Sequence, residues 1–574
     1  MSSSVIPPLI DQIKSTLADK IFDHDECRDR IQAFLDDGTI PAGETSLLDF
    51  IFARGNNHAG EPRLLSNYSI MTITLPACEA LCGHWGWYVD KGPRVMVWVV
   101  PILLLLSNIE LSPIDKRRFV TLLQSGGDPI DCIWSLVAKL DSRTKIFRLV
   151  QEHLVDSSDS SDVMGAGRPW NAVQDRILVI ATVLSGLEDV FPAELAASSN
   201  TIQIFRQFMN DFGAHTTSTT ASDHTHMYNP QIQKQWSKTA LELVDARTDE
   251  RLRAILALVV YILGLCSAFI ADMGGTTQTS PGGVIGASLS LSFLIPIVML
   301  SNTIGGYTSR RQVLDIMTRF VEGVDRHQSL RQRFQLVPGP HPQGASESWD
   351  SYFSRLHWSG AIDTFRPWKT RESSCHARPR RQKLIQGFIA SLPVTAGYLG
   401  AFFIILNAAE QGVSCRHIFL TAMYGFWVLS AILSNASYQF KVFKSSKRGR
   451  QIHWWLCLAK DCCIAVPSLT FIFLSAAGWF NSCTCWSREP IVGAKNASVY
   501  LPVTEIYRRN NRSVFPGIVA GVIGFHLLFS CGLLWWFRDG VSVIRWSEER
   551  RQRVWKEVKG EEGFQKGKFL RGAG

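Results

Sequence analysis

Six apolar runs, each close to the roughly 20 residues that cross a hydrocarbon core, follow one another at 254–270, 284–304, 384–408, 418–440, 456–480 and 515–537. A seventh, 95–111, is shorter and carries Pro101 and Glu110. A soluble domain has only one or two fully buried elements, so this succession predicts a polytopic α-helical membrane protein, all-α, with about seven transmembrane helices. Trp454, Trp455, Trp479, Trp486, Trp535 and Trp536 stand at the run ends, where an amphipathic ring prefers the headgroup level. Between the first two runs the period changes. "VTLLQSGGDPIDCIWSLVAKL" and "NAVQDRILVIATVLSGLEDVF" space apolar residues for one face of a helix, which predicts a helical cytoplasmic domain over 112–253.

Composition adds little until it is resolved along the chain: 46% hydrophobic and 19% charged over 574 residues averages two kinds of sequence. Charge then sets the orientation, because Lys and Arg flanking short connections stay cytoplasmic. Connection 441–455 opens "KVFKSSKRGR", the 305–383 loop is basic at both ends, and the tail 538–574 holds Arg538, Arg545, Arg550, Arg551, Arg553, Lys556 and Lys559. Connection 271–283 has no basic residue. These signs are met by an N-terminal region, 1–94, and a loop, 481–513, on the lumenal or extracellular side, with a cytoplasmic C-terminus, in the secretory pathway or plasma membrane. Six spans with both ends inside is the second reading. In the first, Asn67, Asn496 and Asn511 are glycosylation acceptors, making the chain a glycoprotein, while the sequon at Asn435 falls inside a span. Cys483 and Cys485 then face an oxidising compartment. A bridge across one residue is strained, so Cys415 in the neighbouring outer connection is the expected partner. No signal-peptide stretch opens the chain, and insertion is expected from a later apolar segment.

Candidate chemistry is sparse. There is no phosphate loop, no H-E-x-x-H, no G-x-S-x-G and no paired Asp-rich motif, so neither a cofactor nor a metal is expected. Cys78, Cys82, His84 and Asp90 have a spacing loosely suited to a soft metal but read better as an interfacial segment; His215, His224 and His226 read as a polar linker. The basic excess follows the topology rule and implies no nucleic acid partner. Ionisable groups at membrane depth suggest function. His526 is midway along the last run and Asp461, beside Lys460, lies near the cytoplasmic end of the preceding one, which makes these two the acid/base candidates. The expected partners are the lipid bilayer and a small hydrophobic or ionic ligand. The leading reading is a non-enzymatic protein that binds or moves a small solute or ion. The alternatives are a membrane-embedded enzyme acting on a lipid-soluble metabolite, and a receptor-like seven-helix protein. No internal repeat is visible, which weakens an inverted-repeat transporter.

At "CGHWGWYVDKGPRVMVWVVPILLLLSNIE" and "IPIVMLSNTIGGYTSRR" the chain resembles uncharacterised multi-pass membrane proteins common in filamentous fungi. The resemblance implies a fungal integral membrane protein and brings no activity and no site residues.

Overall fold

The computed structural model describes residues 51–53, 70–82, 91–109, 118–156, 170–190, 230–247, 251–273, 282–305, 380–408, 413–437, 447–487, 489–493, 497–502 and 513–571, with single positions or short stretches at 307, 312–313, 315–317, 319–320 and 440. Of these residues 89% are helical, so the fold is all-α. Two strands, β1 (Ile51–Ala53) and β2 (Ile70–Thr74), come first among the described residues. Then come α1 (Leu75–Cys82), α2 (Lys91–Ser107), α3 (Arg118–Gly127), α4 (Pro129–Asp156), α5 (Trp170–Val190), α6 (Pro230–Asp245) and α7 (Arg251–Met273). These are followed by α8 (Gly282–Ser290), α9 (Leu294–Ile304), α10 (Arg380–Leu406), α11 (Cys415–Ser437) and α12 (Lys447–Ala477). The short α13 (Cys483–Trp486) and α14 (Glu489–Val492) precede β3 (Ser498–Pro502), and α15 (Phe515–Trp536), α16 (Arg538–Ile544) and α17 (Glu548–Arg571) close the chain.

Among the described residues five helical segments are long and apolar enough to cross a membrane: Gly283–Ile304, Leu384–Leu406, Cys415–Ser437, Ile452–Ala477 and Phe515–Trp536. They match five of the expected runs to within a few residues. The other two fall short of that length: the apolar part of α7 is Leu252–Ser267, and α2 has 17 residues. Both nevertheless join the same apolar core, α2 against α7 and α12, with Leu105, Tyr261 and Leu265 buried in it.

The five are not equivalent. Gly283–Ile304 is 89% buried over its apolar window, against 22–44% for the other four, so it forms the axis around which the rest assemble. The others turn apolar side chains outward, among them Phe388, Phe426, Val466 and Leu528, as a helix does whose solvent on that side is hydrocarbon. The axial segment is also discontinuous, ending as α8 at Ser290 and resuming as α9 at Leu294. Pro296 accounts for the break: it has no N–H for the Ser292 carbonyl, and its ring crowds that carbonyl. The backbone instead makes i→i+3 bonds, Leu291 N–H to Ser288 O (3.2 Å), Leu294 N–H to Leu291 O (3.0 Å) and Ile295 N–H to Ser292 O (2.9 Å). Pro393 and Pro467 stay inside continuous helices. The α9 end is a glycine stop, Gly305 at φ 70°, whose N–H closes on Ser301 O.

Helix α4 runs through two cores. Its first half, with Ile133, Leu136 and Leu140, belongs to the apolar bundle; its second half, with Ile146 and Val150, packs with α5, α6 and α17 around Leu178, Trp236, Leu243, Met317 and Val554. Within the 112–253 segment, α3 and the start of α4 thus pack with the apolar bundle. At the opposite end, β1, β2 and β3 form an antiparallel sheet in chain order, with Ile51 opposite Ile73 and Thr72 opposite Tyr500. Two disulfides, Cys78–Cys483 and Cys415–Cys485, tie α1, α13 and the start of α11 together beneath it.

Candidate functional site

Two polar centres lie inside the bundle. The first is at the break in the axial segment. Ser292 projects from the i→i+3 turn and its Oγ lies 2.8 Å from His526 Nε2 on α15. His526 is fully buried, eleven residues from Phe515 and ten from Trp536, so it is central in its span. Its Nδ1 has no hydrogen-bond partner among the described residues. The Ser530 hydroxyl donates to the His526 carbonyl (2.8 Å), and Ser288 and Ser290 are buried alongside the break. Helix α10 comes in close because it presents glycines. A Cβ on Gly397 would stand 3.0 Å from Ser292 Oγ and 3.1 Å from Leu289 O, and one on Gly400 would stand 2.8 Å from a Leu289 methyl.

The second centre is built where the α3–α4 elbow, Ser125–Gly126–Gly127–Asp128, is pressed against α12 and α11. A Cβ on Gly127 would overlap the Asp461 carbonyl, so only glycine lets the elbow in so far. Asp128 caps α4, its Oδ1 accepting the Asp131 N–H at 3.1 Å. Its Oδ2 accepts from Ser434 Oγ and from Lys460 Nζ, each at 2.7 Å. Lys460 Nζ also donates to Ser430 Oγ (2.5 Å) and Ser434 Oγ (2.9 Å), and forms an ion pair with Asp461 Oδ1 at 2.9 Å. Gln124 Nε2 donates to Asp131 Oδ2 (3.3 Å), and Gln386 Nε2 to Asp141 Oδ2 (3.1 Å), so polar contacts continue along the first half of α4.

No protein-family model, curated protein or solved structure matches the chain. The residues therefore carry the functional argument alone.

The two acid/base candidates belong to different centres. Between them the packing runs through Phe293 and Trp427, edge to face at 5.2 Å, with Trp427 Nε1 donating to the Gly126 carbonyl at 2.9 Å. The structure joins Cys485 to Cys415 and Cys483 to Cys78, and Cys82 is disulfide-bonded as well. Cys78 and Cys82 are accordingly not free thiolates for a metal, and no group of metal-ligating side chains occurs among the described residues. Asn67, Asn496, Asn511, His84, Asp90, His215, His224 and His226 lie outside the described residues. Ser292, Ser430, Ser434 and Asp128 were not singled out from the sequence. The signal for Asp128 was present, since "SGGDP" pairs two glycines with an N-cap residue before an N1 proline.

Proposed function

We propose that the chain is an integral multi-pass membrane protein that binds and moves a small solute or ion, with its site at the break between α8 and α9. One observation carries this reading: an interrupted axial helix, enclosed at the centre of the bundle, with the Ser292–His526 pair beside it and one ring nitrogen still able to donate or accept. Interrupted helices are tolerated at membrane depth where they are enclosed by protein or line a cavity, and their unwound turns are where transporters hold substrates. The separation of His526 from Asp461 favours binding over an acid–base reaction shared by the two.

We further propose seven spans, with the N-terminal region and 481–513 lumenal or extracellular and the tail cytoplasmic. Outward apolar faces on α2 (Met96, Val100, Leu103) and α7 (Leu252, Leu256, Leu263) support counting both as spans. The paired strands β2 and β3 and the Cys78–Cys483 bridge put residues 70–82 and 483–502 at one face of the bundle. The chain between them then crosses an even number of times, and α15 carries the tail to the other face. This count disfavours six spans with both ends inside. The bonded cysteines described, Cys78, Cys82, Cys415, Cys483 and Cys485, gather at that face, as expected if it meets an oxidising compartment.

The test is ligand-dependent thermal stability of the purified protein against a panel of small solutes and ions, followed by uptake into proteoliposomes. A true ligand at a hundredfold excess over its Kd should stabilise by about 2.7 kcal/mol, and His526→Leu should lose that gain while still inserting. Equal stabilisation of wild type and His526→Leu would contradict the placement of the site.

A further inference from the structure

The second polar centre has an imbalance that the solute reading does not use. Lys460 Nζ is ringed by five oxygens: Asp128 Oδ2, Ser430 Oγ, Ser434 Oγ, Asp461 Oδ1 and, at 3.4 Å, the Ser430 carbonyl. An ammonium has three N–H groups, so some of these contacts are electrostatic only. Asp128 is well secured, accepting from Ser434, from Lys460 and from the Asp131 amide. Asp461 is less so: it is buried, and among the described residues its one cation is Lys460, 2.9 Å from Oδ1 and shared with Asp128. Two carboxylates and one ammonium leave one negative charge over. Lys460 is eight residues beyond Ile452, about 12 Å along the helix axis. An uncompensated charge buried at that depth is costly.

We propose that Asp461 is a proton-binding site, its carboxylate taking up one proton from water and releasing it again, so that the Asp128–Lys460–Asp461 cluster alternates between neutral and singly negative. A proton suits the place better than an alkali ion because Lys460 Nζ already occupies the middle of the oxygens. The neighbouring groups are known from each element. Helix α4 supplies Asp131, held by Gln124 of α3, and the buried Cys132 thiol. Helix α11 faces the cluster with the Ser430 and Ser434 hydroxyls, and α12 adds Cys462 beside Asp461, with His453 further back on Ser437 Oγ at 2.8 Å. A role as the coupling ion for solute movement rests on the function proposed above; the protonation itself does not.

Infrared titration of the full-length protein in nanodiscs tests it. A protonated-carboxyl stretch should grow as the pH falls through about 8 to 5, the range in which ordinary carboxylates stay ionised. It should vanish in Asp461→Asn, and in Asp461→Glu, which keeps the charge if the amide does not fold, it should persist at a changed frequency. Exchanging sodium for potassium or choline should leave it unmoved. The proposal is overturned if no such band grows, if the band is unaltered in both variants, or if the alkali ion shifts its titration. None of these readings needs the solute, so failure here and failure of the transport reading are separable.

Discussion

Single residues set how close the polar centres come to the helices around them. Gly127 has least room, because its added Cβ meets main-chain atoms of Asp461 rather than the movable end of a side chain. Gly127→Ala should force the elbow off α12 and cost about 1–3 kcal/mol or more, measured as loss of thermal stability in detergent. Gly126, which faces only the Ala465 methyl at 3.4 Å, should accept alanine with a far smaller loss. Equal effects at the two positions would contradict the packing described. His526 was legible from sequence because an imidazole in the middle of an apolar run stands out. Its partner Ser292 was not, since serines recur throughout "GASLSLSFLIP" and only the turn that Pro296 imposes selects one of them. Asp461 was legible for the same reason as His526, but its setting was not: Asp128 is 333 positions away in a segment with no apolar run to mark it.

At the scale of elements, the runs of apolar residues gave the positions of five spans but not their roles. Nothing in composition distinguishes the enclosed axial segment from its neighbours with apolar side chains turned outward, because hydrocarbon and protein interior reward the same side chains. The basic tail is the clearest case of a pattern with two uses. Its charges obey the topology rule, yet in the structure α17 is docked: Val554 and Val558 are buried, Arg550 and Arg553 both reach Asp175 at 2.9 Å, and Arg551 pairs with Asp245. Just before it, Trp546 Nε1 donates to Thr182 Oγ1 (3.2 Å), and the Arg545 guanidinium donates to the Asn302 and Thr303 carbonyls at the end of α9. That end is also held by Arg247, which donates to the Ile304 carbonyl at 3.1 Å. Asp175→Ala should therefore release α17, read as faster limited proteolysis after Ser547, without preventing membrane insertion. Unchanged protection would mean that the apolar seat of Val554 and Val558 holds the helix unaided.

For the whole molecule, the sheet and the disulfides are the features that make the topology more than a count of apolar runs. The β2–β3 pairing and the Cys78–Cys483 bridge connect residues more than 400 positions apart, a relation no local pattern carries, and they hold residues 70–82 and 483–502 at one face of the bundle. Charge alone left seven and six spans both standing; the proposed seven draws its support from β2 against β3, because a strand pair cannot form across a bilayer. The proposed topology puts the disulfide-bonded cap and the basic tail on opposite sides of the membrane. The direct measurement is protease access in sealed microsomes whose cytoplasmic face is outward, using one reporter after Gly574 and a second in the 481–513 loop, with glycosidase mobility of Asn496→Gln as the internal check. The reporter after Gly574 should be cleaved while the loop reporter is protected and Asn496 carries the glycan. A protected C-terminal reporter, or both reporters cleaved together, would contradict that topology.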